Sequence, residues 1–169
     1  NHPSLAHVGL RLANFIKHSK WNDSHPWLAE LIEFECSMIC MEYCEGAAAP
    51  IAPEKLALLD VISPDKLHFK IDPTMMFIST VYPVHSIFEQ ETLLPVERSY
   101  NVIFARDFDP FYETLDQIQF LILKEAKGGA TLFDILEQFN LHSYPSEKIF
   151  EVFQAWMCKQ WIQDITITN

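Results

Sequence analysis

Glycine is scarce in this chain: four occur in 169 residues, too few and too scattered for a phosphate-cradling loop. No serine-nucleophile elbow and no paired acidic motif stands in its place. The seven histidines, at positions 2, 7, 18, 25, 68, 85 and 142, show no HxH, HxxxH or HExxH spacing. The four cysteines, Cys36, Cys40, Cys44 and Cys158, form no CxxC or CxxH pair. A zinc centre is therefore not expected, and the chain reads as a non-enzyme without a cofactor. No run of eighteen apolar residues exists, so no membrane span is expected. Asn1-His2-Pro3-Ser4 has no basic region leading into an apolar stretch, so no signal peptide is visible and a reduced, cytoplasmic setting is expected. The first residue is not Met, which leads us to expect a piece of a longer protein.

Positive charge is the other shortage. Twelve Lys and Arg stand against 23 Asp and Glu, a net charge of −11. Residues 1–97 hold 6 basic and 13 acidic groups, and residues 98–169 hold 6 and 10. A duplex reader gathers cations on one face to displace counterions from phosphates. Nothing in the linear pattern supplies that face, so no direct nucleic acid contact is expected. Apolar surface, by contrast, is plentiful: 49% of the residues are hydrophobic, with 13 Phe and 4 Trp. A chain of this length can bury one good core or two small ones.

Periodicity divides the chain. Leu5 to Lys17 places Leu5, Val8, Leu12, Phe15 and Ile16 at helical spacing. A second helix is expected from near Ser24, with Pro26 in its first turn, to about Glu45, where Gly46 stops it. Its buried face should be Leu28, Leu31, Ile32, Cys36, Ile39, Cys40 and Tyr43, with Glu30, Glu33, Glu42 and Glu45 toward water. Cys36, Cys40 and Cys44 read as small core residues there, because three thiolates along one straight helix lie too far apart to close on a single ion. Residues 47–53 read as a connector and Glu54 to Asp60 as a short helix opened by Pro53. Leu67, Phe69 and Ile71 alternate with Lys66, His68 and Lys70, which predicts a half-buried strand with His68 solvated. Met75 to Tyr82 is a second strand; Val84, Ile87 and Phe88 give a helical turn or two before a loop at 91–97.

The order strand, strand, helix, helix, helix, strand follows. Ser99 to Arg106 alternates with Tyr100, Val102 and Phe104 on one face, Asp107-Phe108-Asp109-Pro110 is turn chemistry, and Phe111 to Leu115 is a short strand. Thr114-x-x-Gln117 and Thr131-x-x-Asp134 are candidate capping boxes for the first two helices, and Gly128-Gly129 ends the first. Pro145-Ser146 opens the third, with Ile149, Phe150, Phe153, Trp156 and Met157 as its apolar stripe. Ile165 to Thr168 closes the chain. The expectation is an α+β fold: helices and a small antiparallel sheet over 1–97, and a winged-helix-like unit over 98–169.

Such a scaffold holds either DNA or an extended peptide. Its third helix offers Glu147, Lys148, Glu151, Gln154, Lys159 and Gln160, two lysines against two glutamates, which disfavours reading base edges. An exposed strand edge beside a helix can accept a peptide as an added strand. The expected peptide-binding residues are therefore Val102, Ile103 and Phe104 on the strand, with Phe150, Phe153 and Met157 on the helix. A transcriptional regulator whose DNA-binding domain precedes this chain is the alternative. An enzyme of unknown type has no motif behind it.

His2-Pro3-Ser4-Leu5, His25-Pro26-Trp27-Leu28-Ala29-Glu30-Leu31 with Phe34-Glu35, Asp72-Pro73-Thr74, Val81-Tyr82-Pro83-Val84 and Gly129-Ala130-Thr131-Leu132 resemble the later part of the bacterial HvfC/BufC family. The resemblance runs over most of the chain through short, scattered motifs. It implies an accessory protein encoded beside a barrel-fold multinuclear iron oxidase, the pair modifying cysteines of a ribosomally made precursor peptide. The domain described as DNA-binding in that family would precede Asn1, and the iron ligands would belong to the partner. Leu115-Asp116, Gln119-Phe120, Ile122-Leu123, Gly129-Ala130-Thr131-Leu132 with Asp134-Ile135, Trp161-Ile162 and Asp164-Ile165 are in turn similar to winged helices that bind precursor leaders by strand addition.

Overall fold

Helices and antiparallel strands occur in separate runs along the chain, an α+β arrangement. The computed structural model describes residues 5–46, 50–89, 96–140 and 144–168. In chain order the elements are α1 (Leu5–Lys17), α2 (Trp21–Ser24), α3 (Leu28–Met41), α4 (Pro53–Leu56), α5 (Leu58–Val61), β1 (Leu67–Ile71), β2 (Met76–Thr80), α6 (Val84–Phe88), β3 (Ser99–Arg106), β4 (Asp109–Leu115), α7 (Gln117–Gly128), α8 (Leu132–Asn140), α9 (Ser146–Cys158) and β5 (Ile162–Ile167). Of the expected connector, residues 47–49 lie outside the described residues, as do residues 90–95 before and within the expected loop.

These elements gather into two interleaved units, Asn1–Glu45 with Met76–Asp116, and Gly46–Met75 with Gln117–Asn169. The fold is not cut at 97/98 as expected. Strand pairing explains why: β2 pairs with β3 in a three-stranded sheet of order β2-β3-β4, whereas β1 pairs with β5 at the far end of the chain. The order β3, β4, α7, α8, α9, β5 is the expected one, but β5 does not share a sheet with β3 and β4.

In the first unit, Asp107 and Phe108 both have positive φ, 50° and 68°, and join Arg106 to its cross-strand partner Asp109. That is the two-residue hairpin whose twist matches the flanking strands. Phe34 and Met41 of α3 pack with Val84, Ile103 and Ala105, flanked by Leu31, Met38 and Tyr112. The buried face is therefore not the expected one: Tyr43 is 74% exposed, while Ala29, Phe34, Ser37 and Met41 are buried. The helix is also shorter than expected at both ends.

Two neighbours account for the shifted face, since α3 packs on the sheet and α6 and also on α1. On the α1 side the small residues do the packing. A Cβ placed on Gly9 would lie 1.9 Å from Cys36 Sγ, and Ala13 and Ile16 are buried, whereas Val8, Leu12 and Phe15 are exposed. Leu5, the first position of that helical period, has no described side chain. Glu30, expected in water, instead takes the Val81 N–H on both carboxylate oxygens at 3.0 Å and the Tyr82 N–H at 3.1 Å. A charged acceptor thus satisfies backbone donors just past the end of β2.

In the second unit the helix signals hold closely. Thr131 and Asp134 cap α8 reciprocally: the Asp134 N–H donates to Thr131 Oγ1 at 3.0 Å, and the Thr131 N–H and hydroxyl donate to Asp134 Oδ2 at 3.0 and 2.6 Å. α7 ends at Gly128, followed by Gly129 at φ 90°. Thr114 is a different case: it lies in β4 and donates to Asn101 Oδ1 at 2.8 Å, so it does not cap α7.

Phe69 stacks on Phe153 at 4.2 Å, Phe153 meets Trp156 edge-on at 5.5 Å, and Trp156 stacks on Trp161 at 6.3 Å. Asp72 closes its turn by accepting the Thr74 N–H and hydroxyl, and its own N–H donates to the Trp161 carbonyl at 2.9 Å. Lys127 Nζ donates to the Pro73 and Met75 carbonyls, at 3.0 and 2.5 Å. Desolvation there pushes the Lys127 pKa down.

Candidate functional site

The strand half of the expected site is not available for peptide pairing. β3 is the central strand of its sheet, hydrogen-bonded to β2 on one side and β4 on the other. Val102 and Ile103 are fully buried, and the Phe104 ring stacks on Phe111 with the Arg106 guanidinium over it. The alternation places Tyr100, Val102 and Phe104 on one face, but Ile103 and Ala105 on the opposite face are buried as well, and both edges of the strand are paired. The fold also divides the six expected residues, Val102, Ile103 and Phe104 belonging to the first unit and Phe150, Phe153 and Met157 to the second.

An outer strand edge does exist in the first unit, on β4. In a two-residue hairpin the closing pair, Arg106 with Asp109, exchanges ladder hydrogen bonds, and successive pairs alternate. Pro110, opposite Ala105, then falls where a backbone N–H would point away from β3. A proline is tolerated at such a position because no ladder bond is lost.

In the second unit, Phe150, Phe153 and Met157 converge on one groove of about 600 Å³, with Leu56, Leu59 and Asp60 of the α4–α5 segment and Phe69 of β1. The stacked pair Phe69 and Phe153 is buried and forms the floor, while Phe150 is 48% exposed on the wall. α9 achieves this by dividing its apolar residues. Ile149, Val152 and Trp156 are buried, and Phe150 and Met157, seven apart, face the groove together with Gln154 and Cys158. Leu56 and Leu59 were missed as site residues. The Pro53 start marked their helix, but a helix this short carries no periodicity from which to assign a face.

The polar positions of α9 do not form a cationic reading surface. Lys148 Nζ lies 6.0 Å from the centroid of the Tyr144 ring and Lys159 Nζ lies 4.8 Å from that of Trp161. His68, expected in water, holds β1 to its neighbours: its Nδ1 is 2.9 Å from the Gly129 carbonyl and its Nε2 2.5 Å from Thr168 Oγ1. Cys36 is buried, Cys40 and Cys44 are half-buried, and desolvation raises the thiol pKa of Cys36 and Cys40. Among the described residues no three His, Cys, Asp or Glu side chains gather as a metal site, and no helix is long and apolar enough to cross a membrane. His2 and His142 lie outside the described residues.

No family model matches this chain, and neither a curated protein nor a solved structure does.

Proposed function

We propose that this protein is a non-catalytic recognition subunit that captures a ribosomally made precursor peptide and presents it to a barrel-fold, multinuclear iron oxidase. The observation that carries the reading is the α9 groove, where Phe150, Phe153 and Met157 line about 600 Å³ of apolar space. That volume lies within the range of specific ligand sites, and apolar side chains of a peptide gain from leaving water there. The net charge of −11 and the placement of Lys148 and Lys159 over aromatic rings favour a peptide over a nucleic acid. The resemblance to the HvfC/BufC family supplies the identity of the partner enzyme.

Calorimetric titration of the protein with the precursor leader encoded beside it, partner enzyme present, tests the reading. The expected dissociation constant is on the order of 1 μM. Heat at the level of buffer dilution up to high micromolar peptide would overturn the proposal.

A further inference from the structure

The charge around the α9 groove narrows what it takes. Among the residues lining it only Asp60 is charged, and it stands exposed beside Leu59 on the α4–α5 wall. On α9 the exposed charges near Phe150 in sequence are Glu147, Lys148 and Glu151, and none of them lines the groove. Lys148 of α9 and Lys159 just past its end lie over Tyr144 and Trp161, rings that do not line the groove. The groove is thus apolar within, and Asp60 is the one charge among the described residues that line it.

Resting on the peptide-capture reading above, we infer that the groove selects a segment in which large apolar side chains lie close to a Lys or Arg. The apolar side chains would sit over Phe153 and Phe69, between Phe150 and Leu56. The cation would stand at the rim within reach of Asp60. About 600 Å³ corresponds to roughly twenty waters at about 30 Å³ each, more space than one side chain fills. Met157 adds an unbranched, polarisable wall that adapts to different apolar shapes. The interior therefore sets size only loosely, and Asp60 supplies the discrimination by sign of charge.

The probes are two fluorescein-labelled twelve-residue peptides, one built from Leu, Phe, Ser and Lys and one with Glu replacing each Lys. Anisotropy is read at 50 and 300 mM NaCl. The Lys peptide should bind at least tenfold more tightly than the Glu peptide at low salt, with the gap narrowing at high salt. Asp60→Lys should shrink the preference several-fold, and Phe150→Ser should weaken the Lys peptide at least tenfold, with thermal melts confirming that both variants fold. Cys158, exposed on the groove wall, provides a second readout. The bound Lys peptide should slow its alkylation by maleimide and leave Cys40 and Cys44 unaffected.

Equal affinity for the two peptides, no binding of either, or an unchanged Cys158 rate at saturation would overturn the inference. The precursor titration is independent of these probes. A leader that binds while the Lys and Glu peptides are not distinguished removes this inference alone. A leader that fails while the Lys peptide is selected removes the precursor reading alone.

Discussion

The two units differ in how far apart in the chain their core residues lie. In the first, Phe34 packs with Val84 and Ile103, so its core forms only when three distant segments meet. In the second, most of the core comes from α7, α8 and α9, which follow one another with short connections, closed by one distant strand pair, β1 with β5. Charge differs as well: five basic and thirteen acidic residues belong to the first unit, seven and ten to the second. The apolar groove and the stronger negative field therefore sit in different units.

Truncating the core of each unit gives the largest expected effect. Phe153→Ala should destabilise by about 3–5 kcal/mol in urea unfolding, because the buried ring touches both Phe69 and Trp156. Phe34→Ala should cost a similar amount, its ring meeting Phe88 at 5.4 Å and Tyr112 at 5.1 Å. Hydrogen exchange separates the two. Phe153→Ala should lower protection in α7, α8 and α9, and Phe34→Ala in α3 and β2–β4. Loss of protection everywhere in both variants would show one cooperative body and break the comparison.

The same contrast explains what could be read in the sequence. α8 and α9 were legible because each start carries a local signal, Thr131 with Asp134 and Pro145, and α7 from its Gly128-Gly129 end, since Thr114 lies in β4 and does not cap it. β3 was legible as a strand but not as a central one, since alternation records one buried face and says nothing of a second neighbour. The face of α3 was misread because Cys36 and Phe34 are buried against different partners, so two narrow stripes look like one broad one. On α1 the large residues Val8, Leu12 and Phe15 suggested the core, whereas Gly9 and Ala13 face it: close helix approach selects for small side chains that hydropathy undervalues. Half of the candidate site, Phe150, Phe153 and Met157, followed from the α9 stripe. Its other wall, Leu56 and Leu59, depends on a fold-back that no local pattern announces.

A smaller effect tests that helix approach in the first unit. Gly9→Ala raises helix propensity by up to about 1 kcal/mol, yet its methyl would fall 1.9 Å from Cys36 Sγ. The clash should win, with a net loss of about 1–3 kcal/mol by urea titration. In a Cys36→Ala background the sulfur is gone and the Gly9→Ala penalty should shrink or reverse. An additive double variant would show that Cys36 is not the obstacle. In the second unit Thr131→Ala removes the α8 cap and should cost about 1 kcal/mol, with early exchange of the first-turn amides of α8.

The smallest effect concerns acid. Asp164 is held below the ordinary carboxylate pKa, chiefly by the hydrogen bond from Lys55 Nζ at 2.5 Å, with the Ile165 N–H at 2.8 Å adding to it and burial opposing. A pKa lowered in the folded state means that stabilisation is complete above the unfolded carboxylate value of about 3.9. It is lost as pH falls through the lower folded value. Both side chains are partly exposed, at 41% and 30%, so solvent screening keeps the contribution under about 1 kcal/mol. Asp164→Asn should therefore lower the melting temperature slightly at pH 7, and wild type and variant should converge as pH drops below about 4. Because the ion pair lies wholly within the second unit, exchange in α3 and β2–β4 should not distinguish the variant from wild type at either pH; a change there would tie the acid response of one unit to the other.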